Sequence, residues 1–202
     1  VAISDISGGY YDEKGIDVGK AIQYRNENKG TLEGFKEATK ISNDELLKLD
    51  VDVLIPAALE NAITEKNVNS IKAKVIVEGA NGPTSHEADS IIEKNGIIAV
   101  PDILANAGGV IVSYFEWVQN RLGFKWTKSR VYRRSDSIIK QSFNNVYSIS
   151  KKYKVSLRTA AYIAAIDKVS RTYKYRDGSF TFQKNGQNTY CLLYTSPSPR
   201  DH

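Results

Sequence analysis

The stretch that decides the fold runs Lys74-Val75-Ile76-Val77-Glu78-Gly79-Ala80-Asn81-Gly82-Pro83-Thr84-Ser85-His86-Glu87-Ala88. It opens on a short apolar, β-branched run, turns through two glycines and meets a helix start. Thr84-Ser85-His86-Glu87 fits a capping box, and Ala88, Ile91 and Ile92 then recur at helical spacing. The lack of polar alternation predicts a strand covered on both faces, as in a parallel sheet. Three further runs of this kind, Val1 to Ser4, Val51 to Ile55 and Ile97 to Val100, predict its neighbours, and Ser42-Asn43-Asp44-Glu45 supplies a second capping box. Strand and helix alternate, so the expected class is α/β with right-handed crossovers.

From Asn106 the pattern turns helical. Val131, Ile138, Ile139, Phe143, Val146 and Tyr147 mark an apolar stripe between Ser129 and Lys152. Leu157 to Tyr173 is apolar nearly all round over Ala160 to Ile166, which predicts a mostly buried helix packed against something outside this chain. Periodicity fades from about Thr181, and Cys191 to His202 reads as a non-native tail.

The 202 residues, 41% hydrophobic and 25% charged, suffice for a full domain core and match an ordinary globular chain. No apolar run approaches the roughly 20 residues of a membrane span, and no leader pattern follows Val1. The single cysteine, Cys191, leaves no internal disulfide or multi-cysteine metal site and agrees with a cytoplasmic location. With no Met and a first residue that reads as mid-strand, the chain is expected to be a fragment. Its net charge of +5 is uneven: residues 1–120 hold 11 Lys+Arg against 19 Asp+Glu, residues 121–202 hold 17 against 4. A basic half can bind nucleic acid. Scattered along amphipathic helices, it more simply solvates a helix face or lines a subunit surface.

Ligands of open α/β sheets sit beyond the carboxyl ends of the strands. At the first such end, in Ser4-Asp5-Ile6-Ser7-Gly8-Gly9, Asp5 can accept hydrogen bonds from a ribose diol, or simply make a turn. At the second, Ala57 and Ala58 leave room for a flat ring or allow tight packing. At the third, Asn81 presents an amide that both donates and accepts, or closes an Asx turn. The fourth, Pro101 to Ser113, is the most specific. With a helix beginning near Asn106, Asn106, Val110 and Ser113 share one face over about 10 Å, enough to separate a ring-binding amide from a substrate-binding hydroxyl. Gly108 and Gly109 cost roughly 1 kcal/mol each inside a helix relative to Ala, so they need a reason, such as close approach of a ligand. His86 and His202 are the only histidines, so no His-based triad or His–metal cluster is available, and no Gly-x-Gly-x-x-Gly loop occurs.

Leu54-Ile55-Pro56-Ala57-Ala58-Leu59-Glu60-Asn61, Val77 to Thr84 and Pro101 to Val110, running on to Ser113-Tyr114-Phe115-Glu116-Trp117-Val118-Gln119-Asn120, resemble the glutamate/leucine/phenylalanine/valine dehydrogenase family, as does Leu157-Arg158-Thr159-Ala160-Ala161-Tyr162. The resemblance spans residues 1 to about 178. It implies an incomplete doubly wound, Rossmann-type NAD(P)-binding domain over residues 1–125, entered at its second strand and lacking its Gly-rich loop. C-terminal helices would occupy 126–178 and a non-native tail 179–202.

The implied reaction is reversible oxidative deamination of glutamate to 2-oxoglutarate and ammonia, in a homohexamer without nucleic-acid or membrane partners. Carried over, Asp5 and Ser7 lie near the adenosine ribose, and Ala57, Ala58 and Asn81 line the dinucleotide cleft. Asn106 holds the nicotinamide carboxamide or its ribose, Ser113 bonds the substrate side-chain carboxylate, and Val110 packs beside it. The Ser113 to Trp117 run favours glutamate over the branched-chain and phenylalanine members. Asp5 favours NAD by repelling a 2'-phosphate, with NADP left open. The family's lysines and catalytic aspartate have no counterpart here, so no catalytic residue and no metal site is assigned, and the chain alone is expected to be inactive. A noncatalytic nucleotide-binding module of the same descent is the alternative. Where the family carries acidic residues after Trp126-Thr127, this chain has Lys128-Ser129-Arg130, which makes the docking of that helix a point to check.

Overall fold

At the centre of the computed structural model, which describes residues 1–176, 182–184 and 187–189, is a three-stranded parallel sheet. Its strands are β4 (Val53–Leu54), β5 (Val75–Val77) and β6 (Ile98–Val100), with Leu54 opposite Ile76 and Ile76 opposite Ala99. A 3-10 turn (Val68–Ser70) and α3 (His86–Lys94) make the connections. They bury Leu54, Ile63, Val68, Ile71, Ala73, Ile76, Ala88 and Ile92 as one core.

Two details depart from expectation. Both faces of the sheet were expected to be covered, but Val53, Ile55 and Ile98 are about half exposed while Leu54 and Ile76 are buried. Helix α3 and the 3-10 turn cover one side only, and α7 (Leu157–Arg176) reaches the other side at β6. The cap of α3 is Ser85, accepting from the Ala88 N–H, rather than Thr84. Thr84 is held extended by bridging to Ile63, whose carbonyl also accepts the Ser85 N–H.

The first apolar run does form a strand, β1 (Ala2–Asp5), but it does not join the parallel sheet. It pairs antiparallel with β2 (Gly8–Tyr11), which pairs with β3 (Thr39–Ile41). The turn fixes the hairpin of β1 with β2. Asp5 Oδ1 accepts the Ser7 N–H at 2.8 Å and Ser7 Oγ–H at 2.6 Å, and Gly8 at φ 129° reverses the chain where an L side chain would be strained. Tyr10, Ala21, Leu32 and Phe35 form a second core under α1 (Val18–Glu27), with Tyr10 and Phe35 edge to face at 6.1 Å. Helix α2 (Asn43–Leu47) carries the complete Ser42–Glu45 capping box. Strands β1 and β4 are edges of their sheets, and they face each other across a cleft of about 910 Å³ lined by Val1 to Ser4 and Val51 to Ile55.

The C-terminal part is helical: α4 (Asp102–Ala105), α5 (Gly108–Leu122), α6 (Lys128–Tyr153) and α7. The basic start of α6 does dock. Thr127 caps it, Arg130 and Arg134 each lie 4.6 Å from the Trp126 ring, and that ring packs at 5.3 Å on Phe115 of α5. Leu104, Val146, Ala160 and Ala161 form the third core. Helix α7 is not mostly buried: beyond Ala160 and Ala161 its outer face exposes Tyr162, Ile166, Val169 and Tyr173. Nothing among the described residues covers that stripe. A short antiparallel pair, β7 (Phe182–Lys184) and β8 (Gln187–Thr189), falls within the expected tail, whereas Cys191 to His202 lies outside the described residues.

Candidate functional site

The loops leaving β4, β5 and β6 converge on the first two turns of α5, as the carboxyl ends of parallel strands do. Between them is a cleft of about 870 Å³ whose lining includes Ala58, Asn81, Asn106, Val110 and Ser113. Residues separated by up to 55 positions thus meet at one place. Ala57 sits at its edge, packed so closely on Gly79 that a Cβ added there would stand 3.0 Å from the alanine's own. Its small side chain packs on Gly79 on one side and, with that of Ala58, lines the cleft between β1 and β4 on the other.

Asn106 reaches the cleft differently from the expectation. The long helix begins at Gly108, and Asn106 is the C-cap of α4. Its Nδ2 donates to Asn81 Oδ1 at 2.6 Å, so the two amides form one unit with an acceptor on Asn106 and donors on Asn81 left for a ligand. One and two turns along, Val110, 75% exposed, and the exposed Ser113 continue the same wall. The α5 glycines are in its first turn, not its interior. A Cβ on Gly109 would meet nothing within 4 Å, so packing does not require glycine there.

Asp5 and Ser7 lie outside this cleft, in the β1–β2 turn. Besides Ser7, Asp5 accepts the Leu32 N–H at 2.6 Å. Burial pushes its carboxyl up, but these hydrogen bonds from Ser7 and Leu32 outweigh it and hold the group below the usual carboxylate range. Among the described residues no group of three His, Cys, Asp or Glu is placed to hold a metal, and no helix is long and apolar enough to cross a membrane.

Sequence reasoning missed the ion cluster behind the cleft floor. Glu78, fully buried at the end of β5, receives Arg158 of α7 at 2.6 Å, and Arg158 also meets Asp89 at 3.0 Å and Asp102 at 3.5 Å. Burial works against the Arg158 charge, and Glu78 and Asp89 more than offset it. The available signal was a charged residue closing an apolar strand and a single arginine opening an apolar helix.

The sequence model of the family described as Glutamate/Leucine/Phenylalanine/Valine dehydrogenase matches residues 1–177. The chain belongs to this family. Within it, the glutamate dehydrogenase of Thermotoga maritima is 52% identical over 176 residues, covering 87% of this chain and 42% of the relative. An NAD-specific glutamate dehydrogenase of Staphylococcus aureus is 44% identical, with 87% and 42% covered. A crystal structure of the hetero-hexameric glutamate dehydrogenase of Thermus thermophilus superposes with a TM-score of 0.79 at 26% identity, over 87% of this chain and 41% of that one. This member of the dehydrogenase family therefore spans about two fifths of the length of the curated relatives it matches.

Proposed function

We propose that this chain is the cofactor-binding portion of an NAD-linked glutamate dehydrogenase that, as a whole protein, interconverts L-glutamate with 2-oxoglutarate and ammonia. The observation that carries the reading is the convergence of Asn81, Asn106, Val110 and Ser113 on one cleft at the strand ends. The names of the relatives supply the substrate and the cofactor.

The residues fit a dinucleotide. The Asn81–Asn106 pair offers complementary amide donors and acceptors to a carboxamide and ribose, and Gly109 leaves open space where a Cβ would intrude. A nicotinamide dinucleotide held by Asn81 and Asn106 would supply the hydride acceptor for the reaction. The chain's contribution is orientation. Asn106 and Asn81 hold the ring and its ribose, Ala57 and Ala58 leave room beside them, Val110 packs against the substrate, and the Ser113 hydroxyl donates to its side-chain carboxylate. Asp5 and Ser7 take the adenosine end. Three internal hydrogen bonds leave Asp5 about one of its roughly four acceptor positions for a ribose hydroxyl, and its charge disfavours the 2'-phosphate of NADP.

The acid and base of the reaction belong to the part of the protein outside this chain, so residues 1–125 and 126–178 alone do not turn over. The whole protein is a cytoplasmic homohexamer, and residues 179–202 are not native to it. Steady-state kinetics of the parent protein carrying Ser113→Ala test the site. The expected result is a glutamate KM raised about tenfold or more, as the loss of one charge-assisted hydrogen bond implies, with the NAD KM little changed. An unchanged glutamate KM would overturn the assignment.

A further inference from the structure

We propose that Arg158 is a positioning residue for the cleft: from α7 it pins, through Glu78 and Asp102, the two loops that present Asn81 and Asn106. The proposal rests on reading the cleft as the cofactor site.

The connections form a closed ring. Glu78 ends β5, three residues before Asn81, and is fully buried. One carboxylate oxygen takes Arg158 Nη2 at 2.6 Å, and the other accepts the Asp102 N–H, at the start of α4, at 2.9 Å. Asp102 Oδ2 accepts the N–H of Gly82, the residue after Asn81, at 2.8 Å. Helix α4 is one turn long and ends on Asn106, which returns to Asn81 at 2.6 Å. The sides of this ring are chain segments and hydrogen bonds of the two loops, and Arg158, 80 residues away in sequence, braces it from outside through Glu78 at 2.6 Å and Asp102 at 3.5 Å.

Charge makes that brace decisive. Glu78, Asp89 and Asp102 place three carboxylates around a single guanidinium. Without the cation, Glu78 is a buried charge with no counter-ion, which proteins relieve by protonation or by opening. Either change alters the acceptor that holds Asp102 and, through it, Gly82 and the Asn81 loop. A planar guanidinium reaches three carboxylates from different directions; an ammonium on a flexible stem is a single point charge that does not reproduce this. Helix α7 thereby sets the spacing of the two amides without touching a ligand.

The test uses the full-length parent protein with Arg158→Met and Arg158→Lys, reading NADH affinity by fluorescence titration, thermal midpoint, and kcat against KM for NAD. Both variants are expected to bind NADH about tenfold or more weakly, since small misplacements of positioning groups carry such penalties. kcat at saturating NAD should fall far less, because bound cofactor reorders the loops. Arg158→Lys keeps a cation beside Glu78, so its thermal midpoint should stay near wild type while its affinity does not; it carries the test alone if Arg158→Met does not fold. Wild-type NADH affinity in folded Arg158→Lys overturns the proposal while leaving the cofactor reading intact. A wild-type protein that does not bind NADH overturns both.

Discussion

Asp5 shows how a single side chain can serve the fold and a ligand together. Its carboxylate closes the β1–β2 turn through Ser7 and reaches 27 residues along the chain to the Leu32 N–H. Because its folded pKa is depressed, the stability it contributes is present above the unfolded value of about 3.9 and is lost as pH falls through the folded value. Asp5→Asn should therefore cost about 1–2 kcal/mol at neutral pH, the range for weakened hydrogen bonds to a partly buried charged group. In urea unfolding, that difference should shrink below about pH 4. A difference independent of pH would contradict the role given to the carboxylate. The turn reading of Asp5 and its ribose reading were alternatives in the sequence; the hydrogen bonds establish the first and leave room for the second.

Among the elements, α5 carries the most direct trade between stability and binding. Glycine in its first turn is not imposed by packing, since a Cβ on Gly109 meets open space. Gly109→Ala should leave the fold as stable or more stable, by up to about 1 kcal/mol from helix propensity, yet weaken NADH binding because the methyl enters the cleft. Calorimetry and NADH titration check the two halves separately, and unimpaired binding would show that no ligand approaches there.

The elements also mark where sequence was informative. Strands β4 to β6 were legible as apolar runs between turn signals, and α6 lies within one residue of the span of its apolar stripe, with Thr127 capping its start. The partner of β1 was not legible. A four-residue apolar run carries no signal for an antiparallel partner, and a side-chain hydrogen bond in the next turn fixes its pairing with β2. The long helix starts two residues after Asn106, at Gly108, because Asp102 starts a short helix that Asn106 caps. Ala58, Asn81, Asn106, Val110 and Ser113 nonetheless line one cleft, because loops at the carboxyl ends of parallel strands converge irrespective of exact helix boundaries. The Arg158–Glu78 pair was invisible because no local spacing links residues 80 positions apart.

Over the whole molecule, three features face outward without a partner among the described residues. These are the cleft between the edges of β1 and β4, the open face of Val53 and Ile55, and the Tyr162–Tyr173 stripe of α7. All three are apolar surfaces of the kind proteins cover with further structure. They agree with a chain that matches about two fifths of its relatives' length. Of the basic residues that make the charge uneven, Lys128 lies over the Tyr132 ring and Arg130 and Arg134 over that of Trp126. The cleft is proposed above to belong to a glutamate-oxidising, NAD-linked enzyme. The decisive experiment is nicotinamide reduction, followed by absorbance, by the full-length parent protein offered glutamate, leucine, phenylalanine or valine with NAD or NADP. Fast reduction of NAD with glutamate, with NADP and the other amino acids far slower, is the predicted result; a preference for leucine, phenylalanine or valine, or no reduction at all, would contradict it.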